Sequence, residues 1–186
     1  MTNYLVLMRG INVGGKHLIK MADLKDWLVQ AGFQAPRTYL QSGNLILQGT
    51  RSAAKVEQAV SEILTNKLDF EVPLVIVNAN ALSEAIAKSP YIAEAEANPK
   101  AVHLCFLAEQ PVRDHVSDLQ AYCTAEERLE LIGKVLYIYY PNLSGKSKLT
   151  LNRIENVLQT RGTARNWNTA RKLEQLMAKE THDLTK

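Results

Sequence analysis

The order of elements in the sequence predicts an α+β fold of two ferredoxin-like (βαββαβ) subdomains. Each has an antiparallel sheet; a connecting helix joins them and a C-terminal helix closes the chain. Three observations carry this expectation. Short β-rich apolar runs alternate with helical apolar faces in the order β-α-β-β-α-β over residues 1–78. The same order recurs from residue 101, ending in a short strand. The composition is that of an ordinary globular chain, with 186 residues, 46% hydrophobic and 22% charged, which excludes disorder, collagen and coiled coil and supplies a core without disulfide or metal. The expected division is 1–78, a connecting helix and linker at 79–100, and 101–186.

Tyr4–Met8 is an unbroken apolar run and reads as a buried strand. Leu24, Leu28 and Ala31 follow at helical spacing, and Gly32 stops the helix. Thr38–Leu40 and Leu45–Leu47 read as strands around a turn at Ser42-Gly43-Asn44. Val56, Val60, Ile63, Leu64 and Leu68 form one helix face. Val72–Val77 is β-rich, with Pro73 at a position tolerated only near a strand start.

A helix over Ala79–Lys88 connects the halves, with Asn78 or Asn80 as its cap, and Tyr91–Pro99 reads as a linker. Val102–Leu107 is the next strand. Pro111 opens a helix with Val112, Val116, Leu119 and Cys123 on one face. Arg128–Ile132 and Val135–Tyr140 form a hairpin about Gly133-Lys134, a glycine-first turn. A helix through Leu151, Ile154 and Leu158 follows, then a short strand at Thr163–Arg165. Asn168 caps a last helix with Ala170, Leu173 and Met177 on one side.

The run Tyr4–Met8 is too short for a secretory h-region, and no apolar stretch approaches membrane-spanning length. The expected location is cytoplasmic, with Cys105 and Cys123 as free thiols and no membrane partner. The net charge of +3 conceals an asymmetry. From Asn142 to Lys186 there are nine Lys+Arg against four Asp+Glu, and the remainder is slightly acidic. A basic C-terminal segment suits an anionic partner, and equally a solvated helical surface.

The sharpest local feature is Arg9-Gly-Ile-Asn-Val-Gly-Gly-Lys16-His17. Gly10, Gly15 and Lys16 match the spacing of a phosphate-binding P-loop. Against an NTPase stand His17 where a magnesium-holding hydroxyl belongs, a helix that begins only near Met21, the lack of an Asp at a following strand end, and an element order foreign to a parallel sheet. The remaining readings are an anion-binding nest charged by Arg9 and Lys16, or a glycine loop of purely architectural use.

Four ordered motifs carry a resemblance. Leu7-Met-Arg-Gly-Ile-Asn-Val-Gly-Gly-Lys16, Tyr39-Leu-Gln-Ser-Gly-Asn44, Gly145-Lys-Ser-Lys-Leu149 and Thr163-Ala-Arg-Asn-Trp-Asn-Thr169 together resemble a bacterial family known as a domain of unknown function. The resemblance spans nearly the whole chain and implies two ferredoxin-like subdomains, with no activity, substrate or cofactor attached. Lys146 stands where the family pattern has Arg, which keeps the charge and loses the bidentate fork.

These motifs fall in loops, where binding residues concentrate. The expected ligand site is Arg9, Asn12, Gly14, Gly15, Lys16, Gln41, Ser42, Asn44, Lys148, Arg165 and Asn166, holding an anionic small molecule or nucleotide. Ser147 or Thr150 caps the helix after Lys148. Two alternatives stand beside it. Tyr137 and Tyr139 share one strand face, as stacking aromatics do in nucleic-acid-binding sheets, though no basic residues flank them. Alternatively, the motifs are architectural. No catalytic residue nominates itself, no cofactor is implied, and His17, His103, His115 and His182 lack metal-ligand spacing.

Overall fold

A computed structural model describes residues 2–112 and 114–183. The chain divides into two compact units, one running to Leu82 and resuming at Gln175, the other Ser83–Glu174.

In the first unit β1 (Thr2–Met8), α1 (Met21–Gln30), β2 (Arg37–Tyr39), β3 (Asn44–Gly49), α2 (Ala53–Lys67) and β4 (Leu74–Asn78) follow in order. The sheet is four-stranded and antiparallel, ordered β2-β3-β1-β4, which is the ferredoxin-like order. The unbroken apolar run of β1 explains its central place. Leu5, Val6 and Leu7 are all fully buried, so both faces of the strand are covered. Tyr4, Val6 and Met8 share a core with Leu24 and Leu28 of α1 and Val56, Val60 and Leu64 of α2. Ser52 caps α2, its hydroxyl accepting from Lys55 N at 3.4 Å. Gly32 ends α1 in the left-handed conformation, at φ +85°. Phe33 N donates to Leu28 O and Gly32 N to Val29 O, both at 3.0 Å, and Phe33 joins Leu28 in the core. This pair of bonds is the Schellman ending of a helix.

The second unit repeats the pattern. It contains β5 (Val102–Leu107), a short α5 (Asp114–Asp118), β6 (Arg128–Ile132), β7 (Val135–Tyr139), α6 (Leu151–Leu158) and β8 (Gly162–Asn166). Its antiparallel sheet is ordered β6-β7-β5-β8, again the ferredoxin-like order. Cys105, Leu107, Leu136, Ile138, Ile154 and Leu158 make its core. Gly133 turns the β6–β7 hairpin at φ +59°. Between the two sheets in sequence lie α3 (Ala79–Ala87) and α4 (Ile92–Ala97), and α7 (Trp167–Asp183) closes the chain. Of the two candidate caps for α3, Asn78 is the one used, accepting from Ala81 N at 2.8 Å.

Three local expectations are corrected. Tyr91–Pro99 is not only linker, because Ile92–Ala97 forms α4; Tyr91 and Ala95, four apart, are both buried, which gives the short helix its anchor. The helix expected from Pro111 to Cys123 is broken. It begins at Asp114, passes into a 3₁₀ turn at Leu119–Tyr122, and leaves Val112 exposed ahead of its first turn. The cap of α7 is Asn166 rather than Asn168, with Thr169 N donating to Asn166 Oδ1 at 2.9 Å. The helix therefore starts directly at the end of β8.

His103 lies on the same face of β5 as Cys105, its ring edge-on to Tyr140 with centroids 5.2 Å apart. Burial pulls its pKa down to about 4, and its Nδ1 has no hydrogen-bond partner. The unfolded chain takes up this proton near pH 6.5 and the folded chain only near 4. Stability is therefore full above pH 6.5 and falls as pH drops towards 4, by roughly 3 kcal/mol in all. Urea unfolding at pH 7, 5.5 and 4.5 measures this. His103→Phe is expected to flatten the slope over that window, and an unchanged slope would assign it to other groups.

Candidate functional site

The segment between β1 and α1 is a closed loop with a defined neck. Asn12 forms the neck. Its Nδ2 donates to Ile19 O at 3.0 Å and to Gln41 O at 2.8 Å, and its Oδ1 accepts from Ile19 N at 2.9 Å. Its own backbone N donates to His17 O at 3.1 Å. One side chain thus satisfies both backbone groups of Ile19 and reaches the neighbouring turn, with each such bond contributing about 1 kcal/mol. Below the neck, Ile11 and Ile19 are buried in the core.

The tip is a two-residue turn. Gly14 and Gly15 have φ of +58° and +73°, Lys16 N donates to Val13 O at 3.1 Å, and Val13 and Lys16 pair as an isolated antiparallel bridge. Two successive positive φ values define a type I′ turn, for which Gly-Gly is a favoured pair. Gly14 and Gly15 of the P-loop-like stretch are therefore accounted for by a hairpin turn. His17 anchors the far side. Its ring stacks on Phe70 at 4.6 Å, and its Nδ1 lies 3.2 Å from Gly10 O, so that nitrogen carries the proton and donates.

The second motif forms the turn between β2 and β3. Asn44 is fully buried at the first position of β3, not in the turn proper. Its Nδ2 donates to Tyr39 O at 2.8 Å and to Ser42 Oγ at 3.2 Å, closing the turn from below. Gly43, at φ +81°, presents its carbonyl to Met8 N at 2.8 Å. A Cβ there would stand 2.6 Å from Met8 Cβ and 2.9 Å from Ile11 Cδ1. The two motifs are thus one construction, keyed at Gly43 and tied at Asn12.

Of the expected site residues in this unit, Asn12, Gly14, Gly15 and Asn44 are spent on building the loop pair. Arg9 is half-buried, with its backbone N donating to Pro73 O at 3.0 Å. Lys16, Gln41 and Ser42 face solvent. The sequence reading missed the apolar part of this surface. Val13, Leu18 and Leu40 are 66%, 67% and 52% exposed. Leu18, Lys20, Met21 and Gln41 line a shallow depression beside Asn12. Val13 and Leu18 fall outside any strand or helix period, which was the available signal; Leu40 was read as the end of a strand, but β2 stops at Tyr39 and Leu40 turns out at φ +58°.

Lys148, Arg165 and Asn166 lie in the other unit. Lys148 is exposed, and its carbonyl accepts from the Arg153 guanidinium. Thr150 caps α6, while the Ser147 hydroxyl accepts from Leu149 N at 3.0 Å. Arg165 is only 8% exposed; it donates to Thr163 Oγ1 at 2.8 Å and Ala164 O at 2.9 Å, and burial pulls its pKa down to about 10. It remains a cation at neutral pH. Asn166 is occupied as the cap of α7. Tyr137 is 1% exposed, with its hydroxyl donating to Ala85 O at 2.7 Å. Tyr139 lies 4.8 Å beneath the Arg128 guanidinium, which also covers Tyr91 at 5.2 Å. Tyr137 is therefore covered by α3, and Tyr139 is half-buried beneath Arg128 of β6. No metal-like cluster of His, Cys, Asp and Glu occurs among the described residues.

Gly43 and Gly14 make a matched pair for mutation. Gly43→Ala meets both left-handed strain and the collision with Met8, and is expected to cost about 3 kcal/mol or more. Gly14→Ala meets strain alone, with nothing within 4 Å of the new carbon, and is expected to cost about 1–2 kcal/mol. Urea midpoints compare them, and equal losses would refute the keyed contact.

A solved structure, that of the conserved bacterial protein SP0830 from Streptococcus pneumoniae, has the same fold. It is 22% identical, with a TM-score of 0.75 over 95% of this chain and 98% of that one. No curated protein matches the chain. No helix among the described residues is long and apolar enough to cross a membrane. A family model matches residues 1–137, a span that includes the loop and turn motifs and ends before Lys148 and Arg165. The chain belongs to that family, described as protein of unknown function DUF1697.

Proposed function

We propose that the chain is a binding protein for a phosphate-bearing small molecule or nucleotide, with the ligand lying against the loop at residues 13–20 and the turn at 40–42. One observation carries the reading. A loop tied at its neck by three side-chain bonds of Asn12 carries exposed lysines and uncovered apolar side chains, and Leu18 and Lys20 line one depression beside it. Rigid loops of this kind lose little entropy on binding. Lys16 and Lys20 are exposed and would take the phosphate, while Leu18 and Leu40 would take the apolar part, a base in a nucleotide. Gln41 adds a side-chain amide at the edge of the depression. The free thiols Cys105 and Cys123 support a cytoplasmic location, where phosphorylated metabolites are abundant.

A second reading applies to the other motif residues. The close contact at Gly43 and the burial of Asn44 and Arg165 favour an architectural role for these positions. The two readings divide the motifs between them.

Amide chemical shifts during titration with AMP, adenosine and inorganic phosphate test the proposal. AMP is expected to move residues 13–20 and 40–42, and Lys16→Ala to weaken it about tenfold, the worth of one charge-assisted phosphate contact. The loop should stay folded in that variant, because Lys16 contributes only a backbone bond to the turn. Equal shifts from adenosine, or none from AMP at ~10 mM, would overturn it.

A further inference from the structure

Elsewhere in the first unit lies a half-open pocket that none of the motifs reaches. It lies where β1 begins, β3 ends, and the segment after α1 meets the start of α2, and it measures about 210 Å³. Tyr4, Phe33, Leu47 and Val56 form its apolar wall, and the rest of its surface is polar. Gln48 and Arg51 stand among its polar lining, and no acidic side chain lines it.

The walls are held in place by interactions already forced by the fold. Phe33 is fixed by the helix-ending bonds at Gly32 and packs in the core. The Tyr4 hydroxyl donates to Arg51 O at 2.8 Å, which ties the Arg51 backbone to the pocket wall. The Arg51 guanidinium lies over the Phe33 ring, 4.8 Å from its centroid. Stacking uses the face of a guanidinium and leaves its in-plane N–H donors at the edge, where they match the two oxygens of a carboxylate. Among the described residues no acid pairs with Arg51. The pocket therefore combines an apolar wall with a stacked cation that no acid among the described residues pairs.

Size restricts the occupant further. The volume lies below the roughly 300 Å³ at which drug-sized pockets begin, so a single ring or a short branched chain fills it. We propose that this cavity is a binding site for a small monocarboxylate whose apolar body packs on Tyr4, Phe33, Leu47 and Val56 and whose carboxylate meets Arg51. The site is independent of the loop proposed above, and neither needs the other.

Benzoate is the probe, with benzamide as its neutral isostere and acetate as the carboxylate without a body. Amide shifts of the intact protein report the site. Benzoate is expected to move Phe33, Leu47–Arg51 and Val56 with a dissociation constant of about 1 mM or tighter. Benzamide and acetate are expected to bind at least tenfold more weakly. Arg51→Gln should reduce benzoate binding about tenfold. Gly49→Leu, whose new side chain shares the face of β3 that carries Leu47 and whose Cβ meets only Arg51 N at 4.0 Å, should abolish it with an unchanged urea midpoint. Benzamide binding as well as benzoate, acetate binding as well as benzoate, shifts outside these residues, or no shift at ~10 mM benzoate would each overturn the proposal.

Discussion

At Gly43 the chain has room for a hydrogen atom and for nothing larger. A carbon there would lie 2.6 Å from Met8 Cβ, closer than real side-chain carbons approach one another. The contact joins the end of β1 to the turn before β3, two strands that pair from Thr2 to Leu7. With Met8 N bonded to Gly43 O, the register of the central pair is fixed at the point where β1 leaves the sheet. Everything that follows in the loop inherits that position. Ile11 is directed into the core beside the same glycine, and Asn12 then lies within reach of Gln41 O on the turn. A one-residue slip of either strand would turn Val6 and Leu45 away from the helices and separate Asn12 from its partners.

The motif residues divide by chemistry. Asparagine at position 12 accepts and donates at once, which is what pairing with both backbone groups of one residue demands. Aspartate could accept but not donate, and a lysine could donate but not accept. Asn44 works in the same way under the neighbouring turn, where burial makes any unmet amide costly. The residues left facing solvent are of different types, namely Lys16, Lys20, Val13, Leu18 and Leu40. None of the apolar three is needed by the core, and the two loops leave all three exposed.

The fold was readable because its signals are local and repeated. The unbroken run at Tyr4–Met8, the helical spacing of Val56, Val60 and Leu64, and the glycine at 133 each act within a few residues. The element order then admits few topologies. The failures have physical causes of their own. Asn166 and Asn168 are equally good caps in composition, and only the exit angle of β8 decides between them. Val112 fits a helical period, but the helix starts at Asp114 and leaves it outside. The site was half legible. Polar residues in loops drew attention to these segments, yet polarity does not distinguish a side chain that builds a loop from one that the loop presents. Asn12 and Asn44 belong to the first kind and Arg165 is buried within β8, and burial and hydrogen bonding, which are long-range properties, are what separate them.

The resemblance of Gly10–Lys16 to a phosphate-binding loop shows how one spacing arises from two constraints. In a P-loop the glycines let successive N–H groups turn towards a phosphate, and a helix begins at once. Here Gly14 and Gly15 supply the two positive φ values of a tight turn, and α1 begins only at Met21. The intervening residues Leu18–Lys20 exist because the chain must cross from the tip back to the core, with Ile19 buried and Leu18 exposed. Alternation of that kind is the geometry of an extended strand returning from a turn. It forces side chains to opposite sides, so a loop that buries Ile19 must present Leu18. The apolar surface is thus a consequence of the same backbone course that the glycines permit. What remains specific to this chain is the identity of the presented residues: a leucine, flanked by lysines at 16 and 20, where any polar residue would serve the fold equally well.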